Sequence, residues 1–337
     1  MLEQEKQINI NGLNINYKQI GDGNIPIVFL HGWGVSSDKY LELARWIHSL
    51  EELWSQNANV NSLRNANARR LHRTKVTMES ASQITNYELR IIIPDLPGFG
   101  KSDEPKENWN LDNYVEFVDK FNETVLRKKG FELIKNILKN FDPKKAVYVQ
   151  KKDKVIIIGH SFGGRIAIKY AIEHPDKIEK LILTGAAGIK HPLNRKQRIF
   201  YILAKIGKKI ISILKEAKFP IGSLASVGRK FLYKIAREKD YYQASPRMKE
   251  IMKNALNEDL APILDKISAF GGSTAGGKTQ TLLVWGELDK STPLSDGKIM
   301  NEKIKNSELV IFNGANHSLP YQKPKEFARA VMEFIKK

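Results

Sequence analysis

The sequence predicts an α/β protein: a doubly wound, mostly parallel eight-stranded sheet carrying an inserted helical cap. Three observations carry this. Six short runs rich in Ile, Val and Leu recur along the chain, at 27–30, 89–93, 155–158, 181–184, 281–285 and 309–312. They are runs, not alternations, and a strand that is apolar on both faces belongs inside a parallel sheet covered by helices on both sides. Helical patterns lie between them, at 114–121, 164–173 and 325–335, where Phe327, Val331, Phe334 and Ile335 share one face. About ninety residues between 184 and 281 hold amphipathic helical patterns and no convincing strand, which marks a helical insertion into the sheet domain.

The elements follow in order. Two antiparallel strands precede the parallel runs, near 7–10 and 14–18, with Asn11-Gly12 as the hairpin turn. Residues 56–86 are rich in Asn, Ser and Arg with scattered apolar positions, the composition of a polar surface insertion. The expected organisation is a core of 1–188 and 276–337, interrupted by a helical cap subdomain at 189–275.

Composition narrows the chemistry. The 337 residues contain no cysteine, which excludes disulfides, Cys-ligated zinc, Fe–S clusters and a thiolate nucleophile. With 42% hydrophobic residues there is ample material for a large core. The amino-terminal residues carry charge and amide where a signal peptide needs an apolar run, and the longest apolar candidate, 199–214, is interrupted by Lys205, Lys208 and Lys209. The expectation is a cytoplasmic protein. Lys and Arg number 55 against 37 Asp and Glu, a net charge of +18. No nucleic-acid-binding motif accompanies that charge, so no nucleic-acid partner is expected.

The chemistry concentrates in one motif. Gly159-His160-Ser161-Phe162-Gly163-Gly164 follows directly on the run 155–158 and opens a helical pattern. Strand, sharp turn and helix are the context that a Gly-x-Ser-x-Gly nucleophile elbow needs, with Ser161 exposed at the sheet edge. A serine hydroxyl needs a base, usually a histidine oriented by a carboxylate. Of seven histidines, His48, His72, His174 and His191 read as surface or capping residues, and His31 and His160 sit in glycine-rich turns where packing roles are expected. His317 remains, delivered by 313–316 to the carboxyl edge of the sheet, where open α/β sheets form their sites. Glu287 and Asp289 both follow the run 281–285; Asp289 lies further past the strand and is the expected acid. The loop after Thr184, the alternative position for it, holds no carboxylate.

Five motifs in order, His31-Gly-Trp-Gly34, Pro94-Asp-Leu-Pro-Gly-Phe-Gly-Lys-Ser102, the Ser161 elbow, Trp285-Gly-Glu-Leu-Asp289 and Gly314-Ala-Asn-His317, resemble the landmarks of the α/β-hydrolase fold. The order Ser161, Asp289, His317 is that family's nucleophile, acid and base order. The resemblance implies a serine hydrolase that cleaves carboxylic esters through an acyl-enzyme. Amide, peptide or C–C bond hydrolysis with the same triad, or a non-catalytic binding protein on the same fold, are the alternatives. It also implies an oxyanion hole from the backbone N–H groups of Trp33 and Phe162, supporting roles for His31, Gly32 and His160, and Asp95 as a turn residue of the fold. No metal and no organic cofactor are implied.

In such hydrolases the inserted helices select a small-molecule ester substrate. Residues 191–253 carry sixteen basic and four acidic residues, a net of +12. Docking of an acidic carrier protein, or of an anionic lipid surface by the stretch 199–218, is one expectation for this basic cap; a solvated face of a lysine-rich chain is the other.

Overall fold

The computed structural model describes residues 3–54, 89–138, 154–191, 206–207, 244–269 and 280–337. The polar insertion expected at 56–86 lies outside them, as does most of the expected cap, 192–205, 208–243 and 270–275.

The sheet has eight strands: β1 (Glu3–Ile10), β2 (Leu13–Ile20), β3 (Ile25–Leu30), β4 (Leu89–Pro94), β5 (Val155–His160), β6 (Ile178–Thr184), β7 (Gln280–Gly286) and β8 (Ser307–Phe312). Their order is β1-β2-β4-β3-β5-β6-β7-β8. The first hairpin is antiparallel and joins β4 antiparallel through β2, while β4, β3, β5, β6, β7 and β8 pair in parallel. Asn11 and Gly12 turn that hairpin with φ of 51° and 81°, the left-handed pair a two-residue turn needs.

Every residue of β4 and β5 is buried, as continuous apolar runs require. β8 closes the sheet at one edge and is only partly covered, which its short apolar run does not distinguish from an inner strand. Alternate side chains feed two cores. Val28, Leu30 and Ile157 join one with Phe117, Phe121 and Ile166, while Ile27, Phe29 and Ile158 join the other with Leu43, Ile47, Phe327 and Val331. Helices 41–54 and Pro324–Lys336 therefore cover one face, and Leu111–Leu138 and Phe162–Glu173 the other. The helix at Leu111–Leu138 is much longer than the 114–121 pattern.

The descending part of the long insertion packs on the first of these cores. Met248, Ile251 and Ala255 from the helix Pro246–Leu256, followed by Leu260, Leu264 and Ile267, are buried there. Ser245 caps that helix, accepting from the Met248 N–H at 3.0 Å and donating to Glu104 at 2.9 Å. At its other end Arg165 donates to the Ala255 carbonyl at 2.8 Å and to that of Glu258, placing a cation where the helix dipole is negative. The Leu260 N–H meets the Gly188 carbonyl at 2.9 Å, so the incoming and outgoing ends of the insertion run together.

Candidate active site

Ser161 sits between β5 and the helix Phe162–Glu173 with φ 53° and ψ −114°. A left-handed φ at a non-glycine residue costs roughly 1–3 kcal/mol and persists only where the surroundings hold it. Here they do. The Ser161 N–H donates to the Thr184 carbonyl at 3.2 Å, and the Ser161 carbonyl accepts from Ala187 at 2.9 Å. A side chain at Gly159 would come within 2.6 Å of the Gly164 Cα, and one at Gly163 would strike the Leu30 carbonyl, so both elbow glycines are required by close backbone passage.

Hydrogen bonding in that helix begins with Arg165 N–H to the Ser161 carbonyl at 3.1 Å. The Phe162 N–H thus belongs to the helix's free amino-terminal donors, next to the serine. The His31-Gly32-Trp33 turn lies against the same serine: a Cβ at Gly32 would stand 3.3 Å from Ser161 Cβ. The Trp33 and Phe162 rings meet edge to face at 5.1 Å, tying the two segments together. His31 fixes the turn from below. Its Nε2 accepts from the Leu96 N–H at 2.9 Å, so its Nδ1 carries the proton, which goes to the Gly32 carbonyl at 2.7 Å. Complete burial lowers the pKa of His31.

His317 and Asp289 come together after β8 and β7. His317 Nδ1 lies 2.8 Å from Asp289 Oδ2, with the carboxylate side chain 1% exposed and the imidazole 23% exposed. Burial raises the carboxyl pKa of Asp289, but the His317 hydrogen bond and charge, with the N–H groups of Thr292 and Ser291, outweigh it and hold the group below its ordinary value. Those amides reach Asp289 Oδ1 at 3.0 and 2.9 Å. Glu287, the other carboxylate after β7, accepts from the Gly314 N–H at 3.0 Å in an exposed position instead. Gly185, in the loop after β6, lies beneath the pair: a Cβ there would be 3.0 Å from Asp289 Oδ2 and 3.2 Å from His317 Nδ1.

His160 links the serine elbow to the histidine loop. Its Nε2 is 2.9 Å from the His317 carbonyl, which can only accept, so Nε2 carries the proton and Nδ1 accepts from the Tyr40 hydroxyl at 2.8 Å. Tyr40 accepts in turn from the Gly32 N–H at 3.4 Å. Burial, followed by the nearby charge of His317, pushes the His160 pKa down to about 3, so this ring stays neutral. Neither Tyr40 nor Thr292 falls in one of the five sequence motifs. Tyr40 is 120 residues from its partner, and no local pattern could pair them.

Asp95 is a turn residue. Its carboxylate accepts from Ser37 N–H at 2.7 Å, Lys101 N–H at 2.9 Å and Asn16 Nδ2 at 3.0 Å, fixing the turn after β4. Among the described residues, no group of His, Asp and Glu could hold a metal ion, and no helix is long and apolar enough to cross a membrane.

Comparison with known proteins agrees with this layout. The profile of the alpha/beta hydrolase family matches residues 27–330. The chain belongs to that family. This hydrolase is 24% identical over 329 residues to 2-hydroxy-6-oxononadienedioate/2-hydroxy-6-oxononatrienedioate hydrolase 1 of Pseudomonas putida, covering 96% of this chain and 92% of that one. It is 23% identical over 268 residues to the proline iminopeptidase of Saccharolobus solfataricus, covering 75% and 78%. A bromoperoxidase from Bacillus anthracis has the same fold, with a TM-score of 0.58 at 20% identity over 99% of this chain and all of that one.

Proposed function

We propose that this alpha/beta hydrolase is a serine hydrolase that cleaves carboxylic esters through an acyl-enzyme on Ser161. The observation that carries the reading is the 2.8 Å contact of His317 Nδ1 with buried Asp289, in a loop bonded at 2.9 Å to His160, the residue before a serine held at φ 53°. Asp289 keeps the proton on Nδ1, leaving His317 Nε2 to take the Ser161 proton as Oγ attacks the ester carbonyl. The carbonyl oxygen becomes negative between the N–H groups of Phe162 and Trp33, a stabilisation of about 3–4 kcal/mol per donor in well-formed sites. Collapse of the tetrahedral intermediate breaks the ester C–O bond, and imidazolium Nε2 returns its proton to the departing alkoxide. Water then enters by the same path, giving up a proton to His317, and releases the acid and the free serine.

His31, Gly32 and His160 act through these groups. His31 sets the oxyanion turn, and His160 ties the base loop to the nucleophile elbow. A second reading, C–C bond hydrolysis by the same residues, is favoured by the likeness to the Pseudomonas putida enzyme, whose named substrate is an oxo-dioate containing neither ester nor amide. Initial rates on p-nitrophenyl esters of increasing acyl length, set beside a vinylogous oxo acid, separate the two. Turnover of the oxo acid alone would overturn the ester assignment while leaving the serine mechanism standing.

A further inference from the structure

One hydroxyl touches both members of the acid–base pair. Thr292 Oγ1 lies 3.0 Å from Asp289 Oδ2, 3.2 Å from His317 Nδ1 and 2.9 Å from the Gly185 carbonyl. Thr292 is 7% exposed and carries a single hydroxyl proton for two acceptors, the carboxylate and the Gly185 carbonyl. His317 Nδ1–H already points to Asp289 Oδ2 at 2.8 Å, so the threonine oxygen is at most a secondary acceptor for it.

We propose that the Thr292 hydroxyl is a positioning group for the acid–base pair, locking the Asp289 oxygen that faces His317 and alternating its proton between that oxygen and the Gly185 carbonyl. With neutral imidazole, Oδ2 is the stronger acceptor and the hydroxyl donates to it, a charge-assisted bond. Once His317 has taken the serine proton, its Nδ1–H becomes the dominant donor to Oδ2. The hydroxyl then turns its proton to Gly185. No proton leaves Thr292 in either state; only its orientation changes.

Placement of the hydroxyl does not depend on the hydroxyl. The Thr292 N–H donates to Asp289 Oδ1 at 3.0 Å and its carbonyl accepts from Trp285 Nε1 at 2.9 Å, so the backbone is fixed independently. Gly185 contributes by having no side chain, which leaves room for the three side chains at φ 47°. Other ionisable groups nearby are His160, whose ring stands 4.9 Å from that of His317, and Asp296.

This inference rests on the serine-hydrolase reading, and its test keeps the two apart. Wild type, Thr292→Val and Thr292→Ser are compared for kcat and KM on the best p-nitrophenyl ester, for the rate of fluorophosphonate labelling, and for the thermal midpoint. Valine keeps the shape and removes the proton; serine keeps the proton and removes the methyl. A kcat about tenfold lower for T292V at unchanged KM, restored within about twofold in T292S, is the expected result. A folded T292V with wild-type kcat overturns the inference, and so does a T292S as slow as T292V. Should T292V fail to fold, Thr292→Ala against Thr292→Ser makes the same comparison. A wild type that neither hydrolyses nor labels removes the serine-hydrolase reading itself and this inference with it, whereas a reactive wild type indifferent to position 292 removes only the role of Thr292.

Discussion

Two histidine–aspartate pairs are built from the segments that follow β6, β7 and β8, and they differ in everything but residue type. His317 meets Asp289 at 2.8 Å and His191 meets Asp296 at 2.6 Å. Asp289 is wrapped by two backbone N–H groups and the Thr292 hydroxyl, and its pKa is lowered. Asp296, in the first turn of the helix Leu294–Lys303, has its carboxylate raised chiefly by burial, with His191 and Ser295 only partly offsetting it. The imidazoles differ too: the His191 side chain is 48% exposed at the start of the insertion, and the His317 backbone is anchored through its carbonyl to His160. A short histidine–carboxylate distance therefore does not define a catalytic pair. What distinguishes them is a carboxylate held charged by fixed donors and an imidazole whose backbone is bonded to His160, the residue before the strained Ser161.

The largest test of that contrast replaces the histidines. His317→Ala lowers kcat on an ester substrate by at least about 10³-fold, while His191→Ala stays within about threefold. Equal losses would make the two pairs functionally alike and break the distinction. Replacing the acids comes next. Asp289→Asn lowers kcat by about 10²- to 10⁴-fold, because the carboxamide no longer selects the Nδ1–H tautomer, and Asp296→Asn leaves it nearly unchanged.

Stability against pH sharpens the same comparison with opposite signs. The folded-state pKa of Asp289 lies below its ordinary 3.8, so its contribution is present above that value and is lost as pH falls below it. Urea midpoints of Asp289→Asn should fall below wild type near neutrality and converge with it under acid conditions. For Asp296 the folded value is raised above 3.8, so its contribution is present below that pH and lost on going upward. Asp296→Asn should accordingly match or exceed wild type at neutrality, with the gap closing toward pH 3.8. The smallest expected effect belongs to Tyr40→Phe, which removes the donor to His160 and costs about 1 kcal/mol in a denaturant titration.

Much of this was legible before any coordinates. Buried strands announce themselves as apolar runs, and β3 to β7 begin or end within a few residues of those runs, because inner strands need no polar face. The Asn11-Gly12 hairpin and the Ser161 elbow were equally plain, since both demand glycine or left-handed geometry at fixed offsets. Hidden from the sequence were contacts made by ordinary residues at long range. Thr292 looks like any turn threonine until β6 brings the Gly185 carbonyl to it, and Arg165 looks like a solvated helix residue until the Ala255 and Glu258 carbonyls settle over it. The packing of Met248, Ile251 and Ala255 against the main core is hidden for the same reason, because an amphipathic stripe does not say which surface it covers.

In the proposed mechanism Ser161 is a nucleophile activated by His317 and Asp289. Incubating the purified protein with a fluorophosphonate, followed by intact mass measurement and peptide mapping, addresses it most directly. One adduct is expected, located on Ser161, absent in Ser161→Ala and formed at least about 10²-fold more slowly in His317→Ala. A folded wild type without an adduct, or one modified equally well after loss of Ser161, would contradict it.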